Sequence, residues 1–333
     1  MATYYGTYGQ KVQYLASDPA SPQAGQVWFN STSNLLKVGI TQQGVWSSGG
    51  NLSAAKWQNT GAGTQTAALN FLGAASGGVG PGLNNTEEYD GTSWSPGGNL
   101  TTGRVAAGGA GTQTSAAAFG GLTTVAVANT EEYDGTSWTS GGNLGTARYA
   151  LAGCGTQTTA LAFGGGDPAK NATEEYNGTA WTAGGNLGTA RSRLGGAGLQ
   201  TTAAAFGGET GAGAGPNTNA TEEYDGTSWT AGGNLNTTRN QLSGAGLQTA
   251  ALAFGGETTS GAGANVPIAE LYDGTSWTNS AAMITAIRLA AGAGTQTAGL
   301  CAAGNNSGSV SAIDASQEFT GGPVVVTRTV TGT

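Results

Sequence analysis

The residues best placed to do chemistry in this sequence are pairs of adjacent carboxylates. The phrase Thr-Glu-Glu-Tyr recurs along the chain and supplies Glu87 with Glu88, Glu131 with Glu132, Glu174 with Glu175, and Glu222 with Glu223, while Glu270 is followed by Leu271. Two carboxylates held together can act as general acid and base. In an extended segment, however, the first glutamate shares a face with the tyrosine two residues later and the second points the opposite way. An arginine also recurs at one repeat position, giving Arg104, Arg148, Arg191, Arg239 and Arg288. Five arginines and five first glutamates, Glu87, Glu131, Glu174, Glu222 and Glu270, read as structural ion pairs between neighbouring units. Such pairs fix register more than they add net stability, because losing one partner strands a half-buried charge.

Other catalytic chemistry has little to stand on. Histidine is absent, and with it the commonest general base and transition-metal ligand. Cys154 and Cys301 lie in different repeats where other copies carry alanine, so they read as small buried residues. No cofactor and no metal is expected, and the chain reads as not an enzyme. The net charge of −8 opposes binding to nucleic acid or to an anionic bilayer. No run of eighteen apolar residues is present, and the opening Met-Ala-Thr-Tyr-Tyr-Gly has neither a basic nor an apolar leader region, which predicts a soluble chain not exported by an ordinary signal.

The elements that position these residues follow from a period of 43 to 48 residues marked by Trp46, Trp94, Trp138, Trp181, Trp229 and Trp277. The units are rich in Gly, Thr and aromatic residues, with frequent turn signals and no helical stripe, so they predict strands. In one unit, Ala147 to Gly153, Thr159 to Phe163, Thr173 to Tyr176 and a segment around Trp181 give four. Asp90-Gly91, Asp134-Gly135, Asn177-Gly178, Asp225-Gly226 and Asp273-Gly274 are tight hairpin signals, since both central residues of a type I′ turn need positive φ.

These marks resemble the kelch repeat: an arginine before the first strand, a Gly-Gly doublet after the second, then a tyrosine and a tryptophan. Arg104, Gly120-Gly121, Tyr133 and Trp138 show the pattern, as do Arg148, Gly164-Gly165, Tyr176 and Trp181. The resemblance implies an all-β, kelch-like β-propeller of four-stranded blades. Residues 1–48 read as a divergent N-terminal blade or docking segment and 49–333 as propeller blades, with Val324 to Val330 as the last outer strand. That makes seven blades, with six plus a terminal segment as the alternative.

Within such a scaffold the copies differ most in the loops between second and third strands. Asp167, Lys170, Glu209, Asn217, Asn219 and Glu257 in those loops are the candidate ligand-binding residues. Gln65, Gln113, Gln157, Gln200, Gln248 and Gln296 should ring one mouth of the axial channel, either capping turns or meeting a ligand.

The repeated Thr-Glu-Glu-Tyr-Asp-Gly-Thr-Ser-Trp phrase and the opening Ala24-Gly25-Gln26-Val27-Trp28-Phe29-Asn30 with Leu36-Lys37-Val38 resemble kelch-like virion proteins of marine bacteriophages. This implies a non-catalytic structural or adhesion protein of the virion, in the tail, a fibre or a capsid decoration. Its partners would be other virion proteins and a host-surface glycan or protein, with no nucleic acid and no membrane insertion. The alternative is a carbohydrate-active enzyme or lectin on the same propeller.

Overall fold

The computed structural model describes residues 12–19, 23, 25–75, 82–213, 215–259, 265–306 and 311–330, without the side chains of 40–42 and 323–328. The opening hexapeptide, Ala24, and residues 214 and 260–264 of the variable loops lie outside the described residues, and so do the expectations attached to them. Every named element is a strand, and the chain divides into two compact units, 46–320 and 1–45 with 321–333.

The larger unit is a kelch-like β-propeller. In one blade the strands Ala152–Gly155, Ala160–Phe163, Thr173–Tyr176 and Trp181–Ala183 pair antiparallel in chain order, and each Asp-Gly or Asn-Gly turn joins the third strand to the fourth. The inner strands Thr60–Thr64, Gly108–Gly111, Ala152–Gly155, Gly195–Leu199, Ser243–Leu247 and Ala291–Gly294 each pack on the next, and the last packs on the first. We number the blades 1 to 6 in that order. Glycines line these strands because the preceding blade leaves no room: a Cβ on Gly153 would lie 2.5 Å from Phe119 Cζ.

A ring of backbone hydrogen bonds marks the closure. The N–H groups of Gln58, Ala106, Ala150, Arg193, Gln241 and Leu289 donate in turn to Leu289, Gln58, Ala106, Ala150, Arg193 and Gln241, at 2.8 to 3.0 Å. All six residues have φ between 53° and 55°, a region non-glycine residues enter at a cost.

The seven sequence units are therefore six four-stranded blades and a smaller terminal piece, which is the alternative count. Among the described residues, the first unit does not make a four-stranded blade of its own. Only Trp46–Ser48 of the strand Leu35–Ser48 enters the propeller, as the outer strand of blade 6 beside 312–320 of the strand Ala312–Thr329. The outer position expected for Val324 to Val330 is thus filled by Trp46. Its indole packs edge-on against Phe254 of blade 5.

In the smaller unit, Gln13–Leu15 runs parallel to Val27–Asn30, which pairs antiparallel with Leu35–Val38. Asp18 holds it together by accepting from Trp28 Nε1 at 3.1 Å, Asn30 Nδ2 at 2.7 Å and Lys37 Nζ at 2.6 Å. These donors, Lys37 first, pull its carboxyl down to about 2.

Neighbouring blades are tied by side chains that the repeat supplies in each copy. The second glutamate of the motif accepts from the tyrosine of the next blade: Tyr133 Oη to Glu88 at 2.6 Å, Tyr176 to Glu132 at 2.5 Å, Tyr224 to Glu175 at 2.5 Å, Tyr272 to Glu223 at 2.6 Å and Tyr89 to Glu318 at 2.5 Å. The indoles of Trp138, Trp181, Trp229 and Trp277 each donate to a threonine hydroxyl of the preceding blade, as in Trp181 to Thr130 at 2.9 Å, and pack on its phenylalanine, with Phe119 and Trp181 centroids 4.8 Å apart.

Candidate functional site

The arginine–glutamate pairs form, but within blades and not between them. Arg104 Nη1 lies 2.7 Å from Glu131, and Arg148, Arg191 and Arg239 lie 3.1, 2.8 and 3.1 Å from Glu174, Glu222 and Glu270. Each arginine precedes the inner strand of the blade whose third strand carries its glutamate. The glutamate's other oxygen accepts a backbone N–H from the incoming linker, as from Gly145 to Glu174 at 2.6 Å, so the pair clamps the linker onto the blade. All four arginines are fully buried. Burial pushes their guanidinium equilibria below the ordinary value.

Two members of the expected set pair differently. Glu87 meets Lys56, which stands at the arginine position of blade 1, with Nζ to Oε1 at 3.2 Å. Arg288 is displaced by one residue. The positive-φ residue lies two places after the repeat arginine in blades 2 to 5 but one place after Arg288, at Leu289, so Ile287 occupies the arginine position. The matching glutamate is Gln317, whose Oε1 accepts from Ile284 N at 2.8 Å. Arg288 instead pairs with Glu257.

The six-glutamine set is likewise committed within the scaffold. Each Nε2 reaches two carbonyls of the preceding blade, as Gln157 does to Ala116 at 3.2 Å and Tyr133 at 2.6 Å. Gln65, Gln113, Gln200, Gln248 and Gln296 repeat the bond, leaving no ring of free amides for a ligand. Cys154 and Cys301 are buried free thiols, pushed up to about 12 by burial.

The opposite face differs. There the backbone ring surrounds an axial cavity of about 190 Å³, lined by Gln58, Ala106, Tyr149, Ala150, Arg193, Gln241 and Leu289 and, deeper, by inner-strand glycines. A second cavity of about 270 Å³ shares Gln58, Arg193, Gln241 and Leu289 with it and adds Trp57, Gly213, Glu257 and Arg288.

Four of the six candidate loop residues converge here. Glu209 is buried, pairs with Arg193, and accepts from Asn240 Nδ2 at 2.9 Å. Burial raises its carboxyl equilibrium, opposed chiefly by the Arg193 charge. Glu257, also buried, is held by Arg288 and by Gln241 Nε2 at 2.5 Å, and its carbonyl accepts from Asn217 Nδ2 at 3.3 Å. Asp167 accepts from the Gly213 N–H at 2.9 Å and so joins two loops.

Asn219 and Lys170 do not belong to the site. Asn219 Nδ2 donates to Leu235 O at 3.0 Å, the same brace that Asn84 and Asn171 make in their blades, so it is a repeat residue set in a variable loop. Lys170 folds back over Gly166 of its own loop, and its N–H donates to Gly165 O at 2.8 Å. The residues missed are Trp57, Tyr149, Arg193, Asn240 and Gln241. Their signal lay in the two positions after each repeat arginine, where near-identical copies read Val105-Ala106, Tyr149-Ala150, Ser192-Arg193 and Asn240-Gln241.

Fold and site together define a kelch-like β-propeller whose two faces do different work: one is consumed in joining blades, and the other carries a polar, loop-built mouth. No family model and no curated protein matches the chain. Among solved structures its fold is similar to that in "Structure of YjhT", with TM-score 0.70 and 13% identity over 84% of this chain and 99% of that one. At that identity the likeness shows the fold alone.

Proposed function

We propose that the chain is a non-catalytic recognition and structural protein of a bacteriophage particle, in a tail, fibre or capsid decoration, contacting other virion proteins and meeting a host-surface glycan or protein through the loop face. One observation carries the recognition reading. Where the blades are near copies their side chains are spent on one another, and where they differ the residues gather around a cavity mouth. Variable side chains on a rigid ring are what a binding surface needs. The carboxylates there support binding over catalysis, since Glu209 and Glu257 are each held by an arginine and an amide that commit their oxygens to the scaffold. The particle assignment rests on the sequence resemblance to kelch-like virion proteins.

The test is retention of the intact protein on host cells, compared with a variant in which loop residues 209–220 are exchanged for the shorter loop 122–129 of blade 2. Loss of retention in a folded variant supports the reading; unchanged retention rejects the loop face. A carbohydrate-active enzyme is the second reading, favoured by the raised carboxyl of Glu209 behind Arg193, which lines the mouth. Soluble products from host polysaccharide would establish it, and retention without products would exclude it.

A further inference from the structure

We propose that the axial mouth binds one neutral sugar ring, with its hydroxyls on the Arg193–Gln241–Arg288 side and its carbon face on the Trp57–Leu289 side; this rests on the loop-face reading above. Three features of the mouth select that ligand class. The first is charge. Arg193 is matched by Glu209 and Arg288 by Glu257, so each arginine lining the wall is already neutralised by a buried carboxylate. An anion entering would displace or face a paired buried carboxylate, a cation would face an arginine, and either would lose hydration without a free counter-charge.

The second is hydrogen-bonding character. Guanidinium N–H groups donate and carboxylate oxygens accept along the same wall, and Gln241 Oε1 is buried with no partner of its own. A hydroxyl, which both donates and accepts, is the group that such a wall satisfies. The third is shape and polarity. Trp57, Val105 and Ala312 are buried, with Leu122 and Leu289 packed on them, forming an apolar cluster from which Trp57 and Leu289 reach the same cavity as the charged side. A sugar ring is similarly two-sided, with hydroxyls at its edge and C–H groups on its faces. At about 270 Å³ the cavity lies below the usual range for drug-sized ligands, which limits it to a single ring.

The backbone ring beneath sets how far a ligand can enter. Six N–H groups and six carbonyls are consumed in the closed cycle, so the floor of the mouth offers a guest few main-chain partners. Recognition therefore falls to the side chains above the ring.

The experiment is ligand-observed NMR on the full chain with glucose, galactose, mannose and N-acetylglucosamine, with glucuronate and glucosamine as charged counterparts. Saturable binding of at least one neutral sugar, stronger than of either charged analogue, is expected. Gln241→Leu should weaken it about tenfold in a protein that still folds, with some loss of melting temperature because Glu257 also loses its amide donor, as loss of one or two bonds to a buried polar wall would give. That ring position tolerates leucine, because Leu289 holds the same backbone conformation at φ 53°. No neutral sugar bound by wild-type protein, tighter binding of glucuronate than glucose, or binding indifferent to Gln241→Leu would each overturn the assignment. Should host cells still retain a protein that binds no free sugar, this inference alone fails; loss of retention as well would remove the loop-face reading too.

Discussion

The interface between blades 2 and 3 and that between blades 5 and 6 solve the same packing problem with different chemistry. At the first, Tyr176 donates to Glu132 and Trp181 donates to Thr130. At the second the tyrosine is Phe319, the glutamate is Leu271, and the threonine is Ala269, so the Trp46 indole turns to Ala281 O at 3.1 Å. Inside blade 6 the buried ion pair is likewise replaced on both sides, by Ile287 and Gln317. Partners change together because a lone buried charge or hydroxyl costs more than the pair contributes. The apolar interface also lies where the two ends of the propeller unit meet in one blade, and Trp46, Phe254, Met283, Ile287 and Phe319 form a continuous cluster there.

The largest effect that would sharpen this contrast comes from splitting a buried pair. Arg191→Ala should destabilise the propeller by about 3–5 kcal/mol, because Glu222 would stay buried without its cation. Arg191→Ile with Glu222→Gln, which copies blade 6, should recover most of that loss in thermal unfolding. An unchanged melting temperature for Arg191→Ala would reject the pairing. Next in size, Tyr176→Phe should cost about 1.5–3 kcal/mol by removing a bond to a charged acceptor. Phe319→Tyr should not stabilise, since its hydroxyl would meet Leu271, and adding Leu271→Glu should restore stability; a gain from Phe319→Tyr alone would break the comparison.

The same contrast has a pH signature. Burial, with the glutamate bond second, pushes Tyr89, Tyr133, Tyr176, Tyr224 and Tyr272 up to about 12. Because the folded value lies above the unfolded one, their contribution is complete below about pH 10 and is lost as pH rises through about 12. Stability measured by denaturant titration should fall across that window, and Tyr176→Phe should make the fall shallower. A slope identical to wild type would show that these hydroxyls do not carry it.

Much of the scaffold was legible because the repeat writes it several times over. Trp138 or Tyr133 alone would say little, but recurrence at fixed offsets identified blade, hairpin and class. Two things were harder to read. The Arg288 assignment failed by one residue because only the positive φ at Leu289 reveals the local frame, and φ is not written in residue type when the position holds Gln, Ala, Arg or Leu. Blade number was ambiguous because residues 1–48 carry a tryptophan and a hairpin, while the contribution of Trp46–Ser48 to the sixth blade depends on pairing across the whole chain. The mouth was half visible: loop carboxylates stand out in sequence, whereas Arg193 and Gln241 look like ordinary variation until the ring places them together.

The smallest effect separates blade 3 from its neighbours at the exposed hairpins. Asp90, Asp134, Asp225 and Asp273 each accept two backbone N–H bonds, as Asp134 does from Thr136 at 2.9 Å and Ser137 at 2.8 Å, and these donors hold the carboxyls below their ordinary value. Asn177 makes the same two bonds in blade 3, at 3.0 and 2.9 Å, with an amide that does not titrate. A depressed folded value means the aspartates' contribution is present above the unfolded value near pH 4 and is lost as pH falls through the folded one. Replacing all four by asparagine should therefore leave stability at pH 7 nearly unchanged and flatten its decline below about pH 4. A decline as steep as wild type would assign acid sensitivity to the buried glutamates instead, and would leave the turns as geometry without an electrostatic share.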